Sequence, residues 1–336
     1  MKTNGKITIQ QIASMAGVSV ATVSRVMNHK NTVKDTTRRK ILDIMEKLNF
    51  NPSSVLVTKE SSNTILLCVS ELRNPFNGLV ISGIQEAARQ HNYRVFILQA
   101  QGVNFTFEDF KDVLQHHSFA GIILLTGVND LKLLEMLALS CPIVRCNEFC
   151  AVNGISFVCI DEIAAARKAT EYLISCGYRK IALLNSSLQF PFARRREEGY
   201  LEALQKAGIE KHDNWIAHIS SINYSLAFSA AMNILTSSNK PDAFFTVSDV
   251  YAVAVIHAAK RLNIRVPEDI SVIGFDNIEL SSMMDPAITT VEQPGEQIGY
   301  QGCELLIEKI NNPQTPVKKI FLDTELIVRE STAWRI

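Results

Sequence analysis

Tryptophan is nearly missing from this chain of 336 residues, aromatic residues make up 7%, and 34 Lys and Arg balance 34 Asp and Glu, so there is no formal net charge. A uniformly basic nucleic-acid binder is thereby excluded, although an average can hide a division between segments. No uncharged apolar run reaches the ~18 residues of a membrane span. The opening MKTNGKITIQ has no apolar h-region, so the expectation is a protein without signal peptide that stays in the cytoplasm. The seven cysteines form no CxxC pair and are odd in number, and read as reduced core thiols. Cys146 and Cys150, taken with His91, His116 and His117, match no zinc spacing, so no metal site is expected. A Walker loop, a GxGxxG after the first strand, a GxSxG elbow and a catalytic triad are all missing, which argues against an enzyme and against a cofactor.

What is present is length and apolar content: 47% hydrophobic residues over 336 positions can fill two or three cores. The charge is also divided. Residues 1–60 hold ten Lys or Arg against four acids, a surplus of six that the other 276 residues cancel. A basic head on an acidic body is the footprint of a small nucleic-acid module joined to a larger domain.

Within the head, Thr8 and Gln11 have the spacing of a capping box, and Ile9, Ile12 and Ala13 follow at helical spacing. Gly17 supplies the positive φ of a helix-to-helix turn, and Ser19 caps a second helix. On that helix Val23, Val26 and Met27 form the apolar face, leaving Val20, Ala21, Thr22, Ser24 and Arg25 outward near its start. In a helix-turn-helix these first turns meet the major groove, where Arg25 can fork onto guanine, Thr22 and Ser24 suit phosphate, and Val20 and Ala21 offer apolar contact. A third helix over residues 34–48 closes the small core with Ile41, Ile44, Met45 and Leu48.

The run AGVSVATVSRVMN, followed by Val33, Thr37-Arg38 and Asn49-Phe50-Asn51-Pro52, resembles the DNA-binding head of the lactose/galactose-repressor family of bacterial regulators. That resemblance adds Thr8 and Asn28 to the DNA contacts. It also implies a hinge after Pro52 that pushes a leucine into the minor groove, for which Leu56 is the candidate. The segment lacks the family's Ala-Arg pair, and its Ser, Thr and β-branched residues have low helix propensity.

From Thr64 onward, short apolar runs (65–69, 95–98, 121–125 and 143–146, then 180–184, 243–247 and 270–275) alternate with amphipathic stretches. Repeated βαβ units imply an α/β architecture of two doubly wound parallel sheets in two lobes around a cleft. The expected organisation is a helix-turn-helix head over 1–50, a linker over 51–63, one lobe from 64–160 with 291–323, and a second from 161–290 with 324–336.

Ligands of such sheets bind beyond the carboxyl ends of the strands. The candidates there are Asn74, Phe76, Thr126, Asn147, Phe149, Asp161, Arg196, Asp249, Phe275 and Gln293. Asn74-Pro75-Phe76, Arg196-x-x-Gly199, Ser248-Asp249 and the stretch 266–277 also resemble that family's sensor core, which is similar to periplasmic sugar-binding proteins. Thr289-Thr290-Val291, Gln293-Pro294 and Arg329-Glu330-Ser331-Thr332 resemble its closing motifs. Asn147-Glu148-Phe149 and the stretch 324–329 are similar to the cytidine-repressor branch.

The resemblance implies a homodimeric, nucleoid-associated repressor that reads palindromic double-stranded operator DNA and is switched by a nucleoside, with a sugar as the alternative. Asp249 and Arg196 would then grip hydroxyls while Phe76 or Phe149 stacks on a ring. The chain ends without a heptad tail, which favours a dimer over a tetramer. An enzyme or a ligand receptor that does not bind DNA on the same scaffold is the remaining alternative.

Overall fold

The computed structural model describes residues 9–27, 33–47, 62–100, 104–125, 128, 130–150, 152 and 154–335. Thr8, Asn28, Leu56 and Thr126 lie outside the described residues, as do the side chains of Ala21, Ser24 and Met27.

Three short helices make the head: α1 (Ile9–Ala16), α2 (Val20–Met27) and α3 (Asp35–Lys47). Gly17 adopts φ 68, and the Gly17 and Val18 N–H groups donate back to the Ser14 and Ala13 carbonyls, ending α1 in the left-handed turn that only glycine takes without strain. Ile12, Ala13, Ala16, Val23, Val26, Ile41 and Met45 are all buried in one core. Val20, expected to point outward, is instead half-buried and packs on that core, because the first turn of α2 leans against its neighbours.

The body is two six-stranded sheets. The first runs in the order β11-β5-β4-β3-β1-β2, from β1 (Thr64–Val69), β2 (Arg94–Gln99), β3 (Gly121–Leu124), β4 (Ile143–Cys146), β5 (Ser156–Ile160) and β11 (Lys319–Leu322). The second runs β12-β10-β9-β8-β6-β7, from β6 (Ile181–Ser186), β7 (Ile216–Ile219), β8 (Ala243–Thr246), β9 (Ser271–Asp276), β10 (Thr289–Glu292) and β12 (Glu325–Ile327). Neighbours pair in parallel, with β10–β12 the antiparallel pair. The central strands β1, β3, β6, β8 and β9 are buried along nearly their whole length, as expected of strands covered by helices on both faces.

The chain passes between the sheets after β5, after β10 and after β11. The second passage falls at Gln293-Pro294 rather than before Val291. Val291 and Glu292 pair with Phe275 and Asp276 in the second sheet, because β10 runs two residues further than the sequence boundary assumed. At the end of the chain the Ser331 hydroxyl donates to the Val272 carbonyl at 2.6 Å and accepts the Thr289 N–H at 2.8 Å, fastening the closing segment to β9 and β10.

In the first lobe α4 (Pro75–Gln90) lies directly on α12 (Gly295–Asn311). A Cβ on Gly83 would stand 2.0 Å from the Glu296 carbonyl oxygen, so the two backbones meet where no side chain fits. Replacing a mid-helix glycine by alanine ordinarily favours the helix by about 1 kcal/mol. Here the steric cost should win: Gly83→Ala is expected to lose about 1–3 kcal/mol, read as a lowered thermal unfolding midpoint. A raised midpoint would show that the helices are not this close.

Candidate functional site

The carboxyl ends of the two sheets meet at one cleft. Ser70 and Glu71 follow β1, Asn147 follows β4, Val247 follows β8, Asp276 ends β9 and Gln293 follows β10. Asn74, Phe76, Asn77, Phe190, Phe192, Arg196 and Ile222 complete the lining. In both lobes this is the end at which strand order reverses, between β1 and β3 and between β6 and β8, where connections diverge and leave a crevice. The centre of a water molecule has about 40 Å³ in which to move. A larger ligand enters only when lobes or side chains move apart.

Arg196 organises the floor. It sits in α8 (Pro191–Lys206), which packs on α7 (Glu162–Ser175) because Gly199 has no Cβ; one built there would stand 2.2 Å from the Ile163 carbonyl oxygen. One turn before that contact, the Arg196 Nε donates to Glu162 Oε2 at 2.6 Å and Nη2 donates to Oε1 at 3.3 Å. Its Nη1 donates to the Val247 carbonyl at 2.7 Å. The guanidinium carbon is 3.6 Å from the Phe275 ring centroid and 5.0 Å from that of Phe192, a cation between two aromatic faces. Only 3% of Arg196 is exposed, and a charge so buried persists because it is paired and hydrogen-bonded.

Asp276 is the carboxylate beside it. Its Oδ1 accepts the Gln293 Nε2–H at 2.6 Å and lies 3.8 Å from Arg196 Nη1. Burial pushes its pKa up to about 7, against the opposing pull of Arg196 and Gln293. It adopts φ 106, a left-handed backbone for a non-glycine residue, of the kind that the surrounding structure must enforce. Arg329 supplies part of that enforcement by donating to the Asn277 Oδ1, the Ser281 hydroxyl and the Ile288 carbonyl.

The expected residues divide. Asn74, Phe76, Asn147, Arg196 and Gln293 all line the cleft. Asn74 Oδ1 accepts the Phe76 N–H and so caps α4. Asn147 takes φ 60 and its N–H donates to the Val158 carbonyl.

Asp249 does not line the cleft. It is fully buried at the start of α10 (Asp249–Arg261), with Oδ2 accepting the Ile278 N–H at 2.9 Å and Oδ1 accepting the Thr290 hydroxyl at 2.6 Å. Both oxygens are used in tying α10 to the β9 and β10 ends, and burial, reinforced by the nearby Asp276, raises its pKa. Phe275 lies beneath Arg196 as a stacking face rather than in the lining. Asp161 is exposed and caps α7 through the Ile163 and Ala164 N–H groups.

Phe149 is half-exposed, packs edge-on against Phe157, and carries the Arg195 guanidinium 5.1 Å from its ring centroid. This joins the first lobe to the second, and the Ile222 N–H lies near enough to the Glu71 carboxyl to favour its charged form. Burial raises the Glu71 pKa, with the Ile222 N–H working against it.

Asp276 stands with Phe275 and Asn277 among the polar strand ends of the sequence, yet it is not one of the ten candidates and is the main cleft residue missing from them. Its signal was its place at the end of a buried strand, which Ser248-Asp249 shares; the strand register, not the motif, decides which acid reaches the cleft. Phe190 and Phe192, on either side of the Pro191 that starts α8, carried no distinct signal.

The second surface is α2. Ser19 caps it by accepting the Thr22 N–H at 3.2 Å, and the two hydroxyls share a hydrogen bond at 2.9 Å. Arg25 is exposed.

Residues 8–53 match the family described as bacterial regulatory proteins, lacI family, and residues 170–332 match the periplasmic binding protein-like domain. The chain is 32% identical over 329 residues to the HTH-type transcriptional repressor CytR of Escherichia coli, covering 97% of this chain and 96% of the relative. It is 30% identical over 326 residues to the ribose operon repressor of Haemophilus influenzae, covering 96% and 98%. Among solved structures it is similar to a transcriptional regulator CelR-cellobiose complex, with a TM-score of 0.74 and 28% identity, covering 97% of this chain and 100% of that one.

The raised Asp276 pKa fixes a pH dependence. The folded state holds the proton up to about 7 whereas an unperturbed Asp releases it near 3.8. The folded form therefore binds more protons across that window, and this group's contribution to stability falls as pH rises through it. Asp276→Asn should remove that part of the decline, flattening the thermal midpoint against pH relative to the unsubstituted protein. Identical profiles for the two proteins would show that Asp276 titrates normally.

Proposed function

Because this chain belongs to the lacI family of bacterial regulatory proteins, we propose that it is a DNA-binding transcriptional repressor whose hold on double-stranded operator DNA is switched by a small effector in the cleft. The observation that carries this reading is the joining, in one chain, of a helix-turn-helix head and a polar cleft lined from both lobes. Two heads on a homodimer would read a palindromic site, since two-fold DNA matches two-fold protein. Ser19, Thr22 and Arg25 are the proposed DNA contacts among the described side chains of α2 and its cap, while Ala21, Ser24, Thr8, Asn28 and Leu56 remain proposed contacts on the sequence alone.

The effector is a nucleoside in the favoured reading. Asn74, Asn147, Asp276 and Gln293 offer polar groups, and Phe76, Phe190 and Phe192 offer ring faces at the same cleft. A sugar is the second reading, favoured by the likeness to a ribose operon repressor and to a regulator solved with cellobiose. The contacts of Arg195 with Phe149 and of Ile222 with Glu71 already bridge the lobes. Ligand binding would change the free energy of lobe closure and so the spacing of paired heads.

A thermal-shift screen of nucleosides, bases and sugars tests the cleft, since a bound ligand raises the unfolding midpoint. Asp276→Ala should abolish the shift and the effector response while leaving operator binding intact; loss of both together would make Asp276 purely structural. Arg25→Ala should cost about 1–3 kcal/mol of operator discrimination in a binding assay across sequence variants. An unchanged sequence preference would remove α2 from the recognition role. Operator affinity should also fall steeply with added salt, as phosphate neutralisation requires; a flat salt profile would argue against DNA as the partner.

A further inference from the structure

The cleft has an excess of acceptors. The Asn147 Oδ1 and Gln293 Oε1 atoms are buried and have no hydrogen-bond partner in the protein. For Gln293 the orientation is set, since its Nε2 donates to Asp276 at 2.6 Å and its Oε1 is the atom left without a partner. The Glu71 and Asp276 carboxyls line the same space. Buried acceptors left unpaired are costly, so this site is completed by a ligand that brings donors.

Provision for an anion is meagre. Among the described residues that line the cleft, Arg196 is the one cation, and it is neutralised by two bonds to Glu162, with Nη1 on the Val247 carbonyl and its faces against Phe275 and Phe192. Helix N-termini commonly hold phosphate through free N–H groups. At α4 that device is closed: Pro75 has no N–H, Phe76 donates to Asn74 Oδ1, and Asn77 donates to the Asn74 carbonyl. The start of α8, which Phe190 and Phe192 bring to the cleft, offers little more, since Pro191 has no N–H and Ala193 is fully buried.

We propose that the effector is a phosphate-free molecule rich in hydroxyl or amino donors, and that the cleft refuses its phosphorylated form. This rests on the reading of the cleft as the effector site and specifies its ligand by charge. A phosphate would set its oxygens against the two unpaired amide oxygens and the Glu71 carboxyl, and above about pH 7 against the Asp276 carboxylate as well, with no uncommitted cation to offset them. Glu162 is thereby a specificity-determining residue that never touches the ligand: it spends the positive charge of Arg196 before a phosphate can.

Isothermal titration of the full chain with two matched pairs tests this, cytidine against cytidine 5′-monophosphate and D-ribose against D-ribose 5-phosphate, at constant ionic strength. The phosphate-free member of whichever pair binds should be the tighter by about tenfold or more. In Glu162→Gln, which keeps the shape and one acceptor but releases the Arg196 charge, that ratio should shrink. Equal or tighter binding of the phosphorylated member overturns the inference while leaving the effector site standing. An unchanged ratio in a folded Glu162→Gln protein overturns the role given to Glu162. Silence from all four compounds overturns the nucleoside-or-pentose reading and the inference with it. Should Glu162→Gln not fold, the ratio in the unsubstituted protein decides alone.

Discussion

An arginine only 3% exposed must have its guanidinium neutralised and bonded, and the second lobe is arranged around meeting that demand at Arg196. Glu162 comes from α7, the Val247 carbonyl from the end of β8, and Phe275 with Asp276 from the end of β9. The partners come from three different elements, and removing Glu162 would leave a buried charge without its paired carboxylate. The close approach of α7 and α8 at Gly199 is what lets the pair form. The motif Arg196-x-x-Gly199 is therefore one device: the glycine brings the helices together and the arginine uses the proximity.

The same network reaches the passage between lobes. Asp276 accepts from Gln293, and Gln293 stands where the chain leaves β10 for α12 of the first lobe. A ligand that engages Asp276 and Gln293 acts on a crossing strand as well as on a pocket wall. In the proposed switch, this gives the effector a direct mechanical route to the relative placement of the lobes. Arg195 on Phe149 and Ile222 on Glu71 add two contacts that exist only when the lobes are close.

Much of this was legible in the residues. Gly17 had to take a positive φ, and it does at 68. The buried central strands announced themselves as continuous apolar runs, since strands covered on both faces carry no alternation. Edge strands were harder: β7 (Ile216–Ile219) is only partly buried and β11 (Lys319–Leu322) alternates weakly, so neither has the composition that marks a core strand. The second lobe boundary was misplaced by two residues because Val291 and Glu292 look alike whether they end one sheet or begin a connection to the other.

The linear order of residues by itself determined the class: a basic head with helix-turn-helix spacing, two sets of βαβ units, and a family likeness that runs the length of the chain. It also named five of the cleft residues, because polar side chains at strand ends are visible as breaks in apolar runs. Tertiary structure decided which acid matters. Asp249 and Asp276 both follow buried strands, yet Asp249 is consumed by the Ile278 N–H and the Thr290 hydroxyl while Asp276, turned by its left-handed backbone, faces the cleft. It also decided that Arg196 is already neutralised, for Glu162 lies 34 residues away and only the packing of α7 on α8 brings the two charges together. Pairing of that kind depends on distance in space, and no local pattern in the chain records it.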